Sequence, residues 1–170
     1  MAAYSDAVRA RCRDLRRAGG WPEGTSGTGT GAAGSLDGGA LTRLQVHVAE
    51  TTGVVDDARY RVFGCSAAVA SASFVADALV GCAPAVARTI DAETVAAALG
   101  LPADKQAMAA LATGAARAAI DDWESRAGSR GSGPGDQGAG LVGQRSDEGA
   151  PRGGAASEMA AHSSAAQVRT

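Results

Sequence analysis

The stretch "RVFGCSAAVASAS", residues 61–73, ends one alternating run on a lone cysteine and opens a helix-forming run of small residues. A thiol that directly precedes a helix N-terminus faces free amides and the positive end of the helix dipole, which favour the reactive thiolate. Cys65 is therefore the first candidate for chemistry. If the strands on either side of "ETTG" fold about Thr52-Gly53, partner numbers sum to about 105, and Cys65 lies across from residue 40. That is the end of the glycine-rich "SLDGGA", residues 35–40. On these residues alone two readings of Cys65 stay open, a reactive or metal-binding thiol and a buried structural one.

Other candidates carry weaker signals. Cys12 falls on a first helix and Cys82 in "GCAP", where a helix gives way to a loop; both read as packing or surface thiols. Three cysteines at no metal-ligand spacing argue against a disulfide framework. "GTGAAG", residues 29–34, spells a dinucleotide fingerprint, but that motif needs a strand before it and a helix after it. Here a Trp-Pro loop precedes and a strand follows, so a flexible loop is expected. His47, beside Arg43 and Gln45, reads as an exposed histidine on a polar strand face, and Asp56-Asp57 as turn residues.

These side chains need elements to hold them. Ser5 is placed to cap an arginine-rich helix over residues 6–18, followed by a glycine-rich loop over 19–40. "LTRLQVHV" puts Leu44, Val46 and Val48 on one face, and "VVDDARYRVFG" alternates with Tyr60 and Val62 on one side. Together they predict a β-hairpin with one solvated face. Helices are expected over 66–80 and 93–99, the second stopped by "GLP". A long final helix begins near residue 103, with Met108, Leu111, Ala115, Ala119 and Trp123 on a shared face. The fold class is α+β: a short N-terminal helix, a small antiparallel sheet and C-terminal helices packed on one face.

Composition bounds the function. Of 170 residues 24 are glycine, aromatics make up 4%, and net charge is −2, so the core must be built from small side chains and the basic footprint of a nucleic-acid binder is missing. No apolar run reaches the ~20 residues of a membrane helix, and the first residues hold no signal-peptide core, which predicts a cytoplasmic protein. From Gly128 to Thr170 large apolar residues are few, and a disordered tail is expected after a folded unit of residues 3–127.

Taken in order, "AYSDAV", "LQVHV", "GVVDDARYRVFGC", "LGLPADK" and "AARAAIDDW" resemble the NifU/IscU-type iron–sulfur cluster assembly scaffolds over residues 3–127. The resemblance implies a cytoplasmic scaffold rather than an enzyme, on which iron and sulfide are assembled and passed to acceptor proteins. Soft thiolates hold iron in such sites, and oxygen or nitrogen donors keep the cluster labile. It places the family's middle cysteine at Cys65 and keeps Lys105. The family's first cysteine, aspartate, histidine and last cysteine fall on Gly38, Ala40, Ala107 and Met108. Iron or a cluster would then depend on Cys65, on the neighbouring Asp37, and on sharing across a homodimer. The partners implied are a cysteine desulfurase and acceptor or chaperone proteins. The alternative is a cluster-free adapter that docks on a desulfurase or scaffold. A thiol enzyme using Cys65 as nucleophile comes third, because no base stands near it in sequence.

Overall fold

In chain order, Asp6–Arg13 forms α1, Thr28–Ser35 β1, Ala40–Val48 β2, Val55–Phe63 β3, Ser66–Leu79 α2, Pro84–Ala87 α3, Ala92–Leu99 α4 and Gln106–Arg130 α5. The structure, a computed structural model, describes residues 4–130. The strands make an antiparallel sheet in the order β1-β2-β3, with α2 and α5 packed on one face, as an α+β fold requires. The tail expected from residue 128 lies outside the described residues except for residues 128–130, which prolong α5.

Strand β1 is the first correction. The segment expected to be a flexible loop pairs with β2 along its whole length, from Thr28 opposite His47 to Ser35 opposite Ala40. Glycine has low strand propensity, so "TGTGAAGS" hid its strand. The reason for glycine lies across the interface. A Cβ on Gly29 would sit 2.1 Å from the Ala119 carbonyl oxygen, and one on Gly31 2.2 Å from that of Ala115. Helix α5 thus rests on β1 at backbone contact. Ala115 and Ala119 are fully buried on the expected face, while Met108, Leu111 and Trp123 are only half-buried along its edge.

The β2–β3 pairing agrees with the expected hairpin to within one residue: Leu44 lies opposite Tyr60 and Leu41 opposite Phe63. Leu44, Val46, Ala58 and Tyr60 turn into the core toward the helices. The opposite face is not simply solvated. The segment before β1 folds over it, and Gln45, 4% exposed, uses its whole amide there. Its oxygen accepts from the Trp21 amide at 2.8 Å, and its nitrogen donates to the Trp21 carbonyl at 3.2 Å and the Thr30 hydroxyl at 3.1 Å. A buried amide bonded on both sides costs little to bury. Asp56 and Asp57 are not in the turn but within β3, where they face His47 and Arg17 respectively (Asp56 Oδ1 to His47 Nδ1, 2.5 Å; Arg17 Nη1 to Asp57 Oδ1, 2.5 Å).

Helix α1 starts as expected, with the Ser5 hydroxyl accepting from the Val8 amide at 3.2 Å, but it stops at Arg13 rather than residue 18. The chain instead runs beside β3: the Tyr60 amide donates to the Arg17 carbonyl at 3.0 Å and the Gly19 amide to the Tyr60 carbonyl at 2.8 Å. Backbone groups on a sheet edge need partners, and this segment supplies them. Three arginines of the N-terminal segment converge on Asp77 of α2: Arg17 Nε donates to Oδ1 at 2.6 Å, Arg16 Nη2 to Oδ2 at 2.9 Å, and Arg11 also to Oδ2. The loop expected after Cys82 contains α3, started by Pro84 at its first turn. Asp91 and Gly100 bound α4, the aspartate accepting from the Thr94 amide at 2.8 Å and the glycine turning the chain at φ +59°. Among the described residues no helix is long and apolar enough to cross a membrane.

Two predictions follow from this packing. Gly31→Val should lower stability by about 3 kcal/mol, because α5 must lift from β1 to admit the side chain. Gly114→Ala, whose new Cβ would meet only the Ala33 Cβ at 3.6 Å, should raise it by about 0.5–1 kcal/mol. Urea midpoints at fixed slope measure both. For Asp77, burial raises the carboxyl pKa but the Arg17, Arg16 and Arg11 bonds outweigh it, bringing the value from 3.8 to about 2. A carboxylate depressed in the folded state stabilises above its unfolded pKa, so this contribution, about 2 kcal/mol, is present at neutral pH and lost as pH falls from about 4 toward 2. Asp77→Asn should therefore be less stable at pH 7 and should flatten the stability curve in that acid window.

Candidate functional site

Cys65 occupies the N-cap position of α2, with extended backbone at φ −79° and ψ 172°. Its carbonyl accepts from the Ala68 amide at 2.9 Å, which starts the helix and leaves the thiol beside the first-turn amides. The thiol makes no capping hydrogen bond. It is half-buried, and burial alone would raise its pKa. The Ala68 amide, the Tyr4 hydroxyl, the Ala67 amide and Lys105 act the other way and together hold it below the ordinary thiol value. The consequences for the neighbours are reciprocal. Burial and the Cys65 sulfur hold the Tyr4 hydroxyl up. Lys105 is held more firmly protonated, first by Asp104, whose carboxylate lies 3.3 Å from its ammonium, and then by Cys65.

Three separate elements carry the groups that act on this thiol. Tyr4 is held because Ser5, next to it, caps α1 and also donates to the Leu99 carbonyl at the end of α4. Lys105 closes the 3-10 turn Ala103–Lys105 that leads into α5. Cys65 ends the β3–α2 connection. Cys12, on the inner side of α1, donates its thiol hydrogen to the Ser66 carbonyl at 3.4 Å, so a second sulfur borders the same helix start. Neither Tyr4 nor Cys12 was marked as a site residue by spacing, since each lies more than fifty positions from Cys65 in the chain.

The remaining positions can now be placed. A Cβ on Gly64 would lie 3.4 Å from the Ala40 Cβ, so the end of the glycine-rich segment does meet the residue before Cys65. Ala40 is buried there. Gly38 and Asp37 stand in the exposed β1–β2 turn, which is closed by the Gly39 amide on the Leu36 carbonyl at 3.0 Å and the Gly38 amide on the Ser35 hydroxyl at 3.0 Å. Met108 is half-buried against the core. Ala107 is exposed and lines a groove of about 280 Å³ between α4 and α5, with Ala92, Glu93, Ala96, Gln106 and Ala110. His47 is tied to Asp56 on β3, and Cys82 donates to the Ala78 carbonyl at 3.2 Å beyond the far end of α2.

Among the described residues no three His, Cys, Asp or Glu side chains are grouped so as to hold a metal ion. A [2Fe–2S] cluster takes four protein ligands. One thiol per chain does not meet that need. What the arrangement does offer is a single activated sulfur nucleophile, framed by a phenol and an ammonium, at the mouth of a helix.

A small antiparallel sheet covered on one face by helices, with an activated cysteine at the sheet-to-helix crossing, defines the class of protein. The NifU-like N terminal domain family matches residues 3–130, and the chain belongs to it. The chain is 32% identical over 126 residues to the iron-sulfur cluster assembly scaffold protein IscU of Haemophilus influenzae, covering 74% of this chain and 99% of that protein. It is 38% identical over 98 residues to the mitochondrial iron sulfur cluster assembly protein 1 of Candida glabrata, covering 58% of this chain but only 46% of that longer protein. The N-terminal part of a nitrogen-fixing NifU-like protein from Brucella abortus shares the fold, at a TM-score of 0.55 and 17% identity over 72% of this chain and 94% of that one.

The site makes a direct prediction. Iodoacetamide should alkylate Cys65 before Cys12, whose thiol is held up by burial and by the nearby Cys65. The pH at which Cys65 becomes reactive should rise in Tyr4→Phe and in Lys105→Met, because each removes a group that favours the thiolate. Peptide mass spectrometry of alkylation rates against pH reads both shifts; an unchanged profile would remove Tyr4 and Lys105 from the site.

Proposed function

We propose that the chain is a scaffold-like protein of iron–sulfur cluster assembly whose own chemistry is centred on sulfur acceptance at Cys65. The observation that carries this reading is the activated thiol at the start of α2, in a family whose curated relatives are named for cluster assembly. A thiolate held at a helix N-terminus beside a cation is suited to attack the outer sulfur of a persulfide, leaving the donor thiolate behind and retaining the sulfur. The donor class is a cysteine desulfurase, and the receivers are acceptor or chaperone proteins. Three free cysteines suit a reducing compartment, which we take to be the cytoplasm.

Iron is cargo here rather than a resident group. The donors one chain can turn toward it are Cys65 and, from the β1–β2 turn, Asp37, so a cluster requires thiolates from a second chain or a partner. A second reading rests on the same geometry. With Gly38, Ala40, Ala107 and Met108 offering no thiolate or imidazole, the fold serves as a cluster-free adapter on a desulfurase or a complete scaffold.

The test pairs two measurements on the full chain. With a cysteine desulfurase and sulfur-labelled cysteine, the label should appear on Cys65 and be absent from Cys65→Ser. In anaerobic reconstitution with ferrous iron and sulfide, any retained iron should travel with a dimer on gel filtration, vanish in Cys65→Ser and fall in Asp37→Ala. A folded protein that binds the desulfurase yet takes neither label nor iron would establish the adapter reading instead.

A further inference from the structure

The feature that family membership leaves unexplained is the second sulfur beside Cys65. Cys12 is half-buried on α1, and its Sγ lies 3.4 Å from the carbonyl of Ser66, the residue that follows Cys65. Its position is not loose. Arg11, its chain neighbour, is bound to Asp77 on α2, and Ser5 pins the other end of α1 to α4. The two thiols also differ in character: burial and the charge of Cys65 keep Cys12 protonated, whereas Cys65 is the one held toward thiolate. A sulfur donor therefore meets Cys65 first. A less acidic thiol waiting alongside an activated one is the arrangement of an attacking and a resolving cysteine.

We propose that Cys12 is a resolving thiol for a persulfide on Cys65, an inference that rests on the reading of Cys65 as a sulfur acceptor. The Cys12 sulfur, giving up its proton, attacks the inner sulfur of the Cys65 persulfide. The bond between the two persulfide sulfurs breaks, and its electron pair leaves with the outer atom, which takes the proton and departs as hydrogen sulfide. A disulfide between Cys12 and Cys65 forms in its place. One persulfide and one thiol become one disulfide and one sulfide, so the two electrons that reduce the outer sulfur come from the protein and no further reductant enters the step. Return to two thiols requires an external dithiol reductant. For the exchange the Cys12 sulfur leaves the Ser66 carbonyl and turns to Cys65, bringing the two Cβ atoms to the roughly 3.8 Å that a disulfide needs. Cys82 cannot substitute, because the fourteen residues of α2 place it about 20 Å away.

The experiment loads the reduced full chain anaerobically with inorganic polysulfide, a probe that bypasses any desulfurase. After rapid desalting, it follows free sulfide release and maps cysteine peptides without reduction. Wild type and Cys82→Ser should carry the persulfide on Cys65 briefly, then release one sulfide per chain with a Cys12–Cys65 linked peptide. Cys12→Ser should keep the Cys65 persulfide and release sulfide about tenfold more slowly or worse, as expected when a thiol at millimolar effective concentration is removed. A persulfide on Cys65 that decays equally in wild type and Cys12→Ser, with no linked peptide, would overturn the resolving role and leave the acceptor reading standing. Failure of Cys65 to take up sulfur at all in wild type would overturn both.

Discussion

Backbone contact between α5 and β1 is the constraint on which the rest of the molecule depends. With few aromatic residues to spend, the core gains density by bringing a helix rich in alanine down onto a glycine-containing strand. Tight packing of small groups recovers dispersion contacts that bulkier side chains would otherwise supply across a wider gap. Seating α5 this low also sets the height of its N-terminal turn, where Lys105 stands. Gly29 and Gly31 thereby help to set the turn that carries Lys105, whose charge favours the Cys65 thiolate.

A second constraint fixes the opposite wall of the site. Asp77 gathers Arg11, Arg16 and Arg17, and the same segment caps the β3 edge through Tyr60. One carboxylate accepting from three guanidinium groups is far more than an isolated surface pair, because each arginine belongs to a different part of a chain that must bend from helix to edge strand. This clasp, together with Ser5 on α4, presses α1 against α2 and so brings Tyr4 and Cys12 to the helix start. Electrostatics that look remote from the thiol decide which groups surround it.

Family membership and donor set pull in different directions, and chemistry reconciles them. The fold is that of the NifU-like N terminal domain, yet Gly38, Ala40, Ala107 and Met108, the positions the family resemblance pairs with Cys65, offer only hydrogen, methyl groups and a neutral thioether. That donor set is poor at holding a cluster, which is why the proposed function centres on sulfur. An activated thiolate needs amide dipoles, a hydroxyl and a cation, all of which are in place. Under the proposed reading, the retained half of the chemistry is the half that one cysteine can perform.

Much was legible in the chain because it was local. Alternation over residues 41–48 and 54–64 set the hairpin and, to within one residue, its register; Ser5 and "GLP" marked true helix ends, and a cysteine at a strand-to-helix junction marked the candidate site. What failed to show was whatever depended on a distant surface. Strand β1 has no apolar alternation because its inner positions must be hydrogen atoms, so its strand character exists only against α5. Gln45 read as a polar-face residue and Asp57 as a turn residue because the segment that satisfies them lies 24 and 40 positions away. The sequence by itself determined the hairpin, most of the helices, the family and the one sulfur at a helix start, since these follow from period, caps and motif. Only the tertiary structure decided that Tyr4 and Cys12 share that sulfur's surroundings, because close approach of elements remote in the chain is set by packing, which leaves no fixed spacing to read.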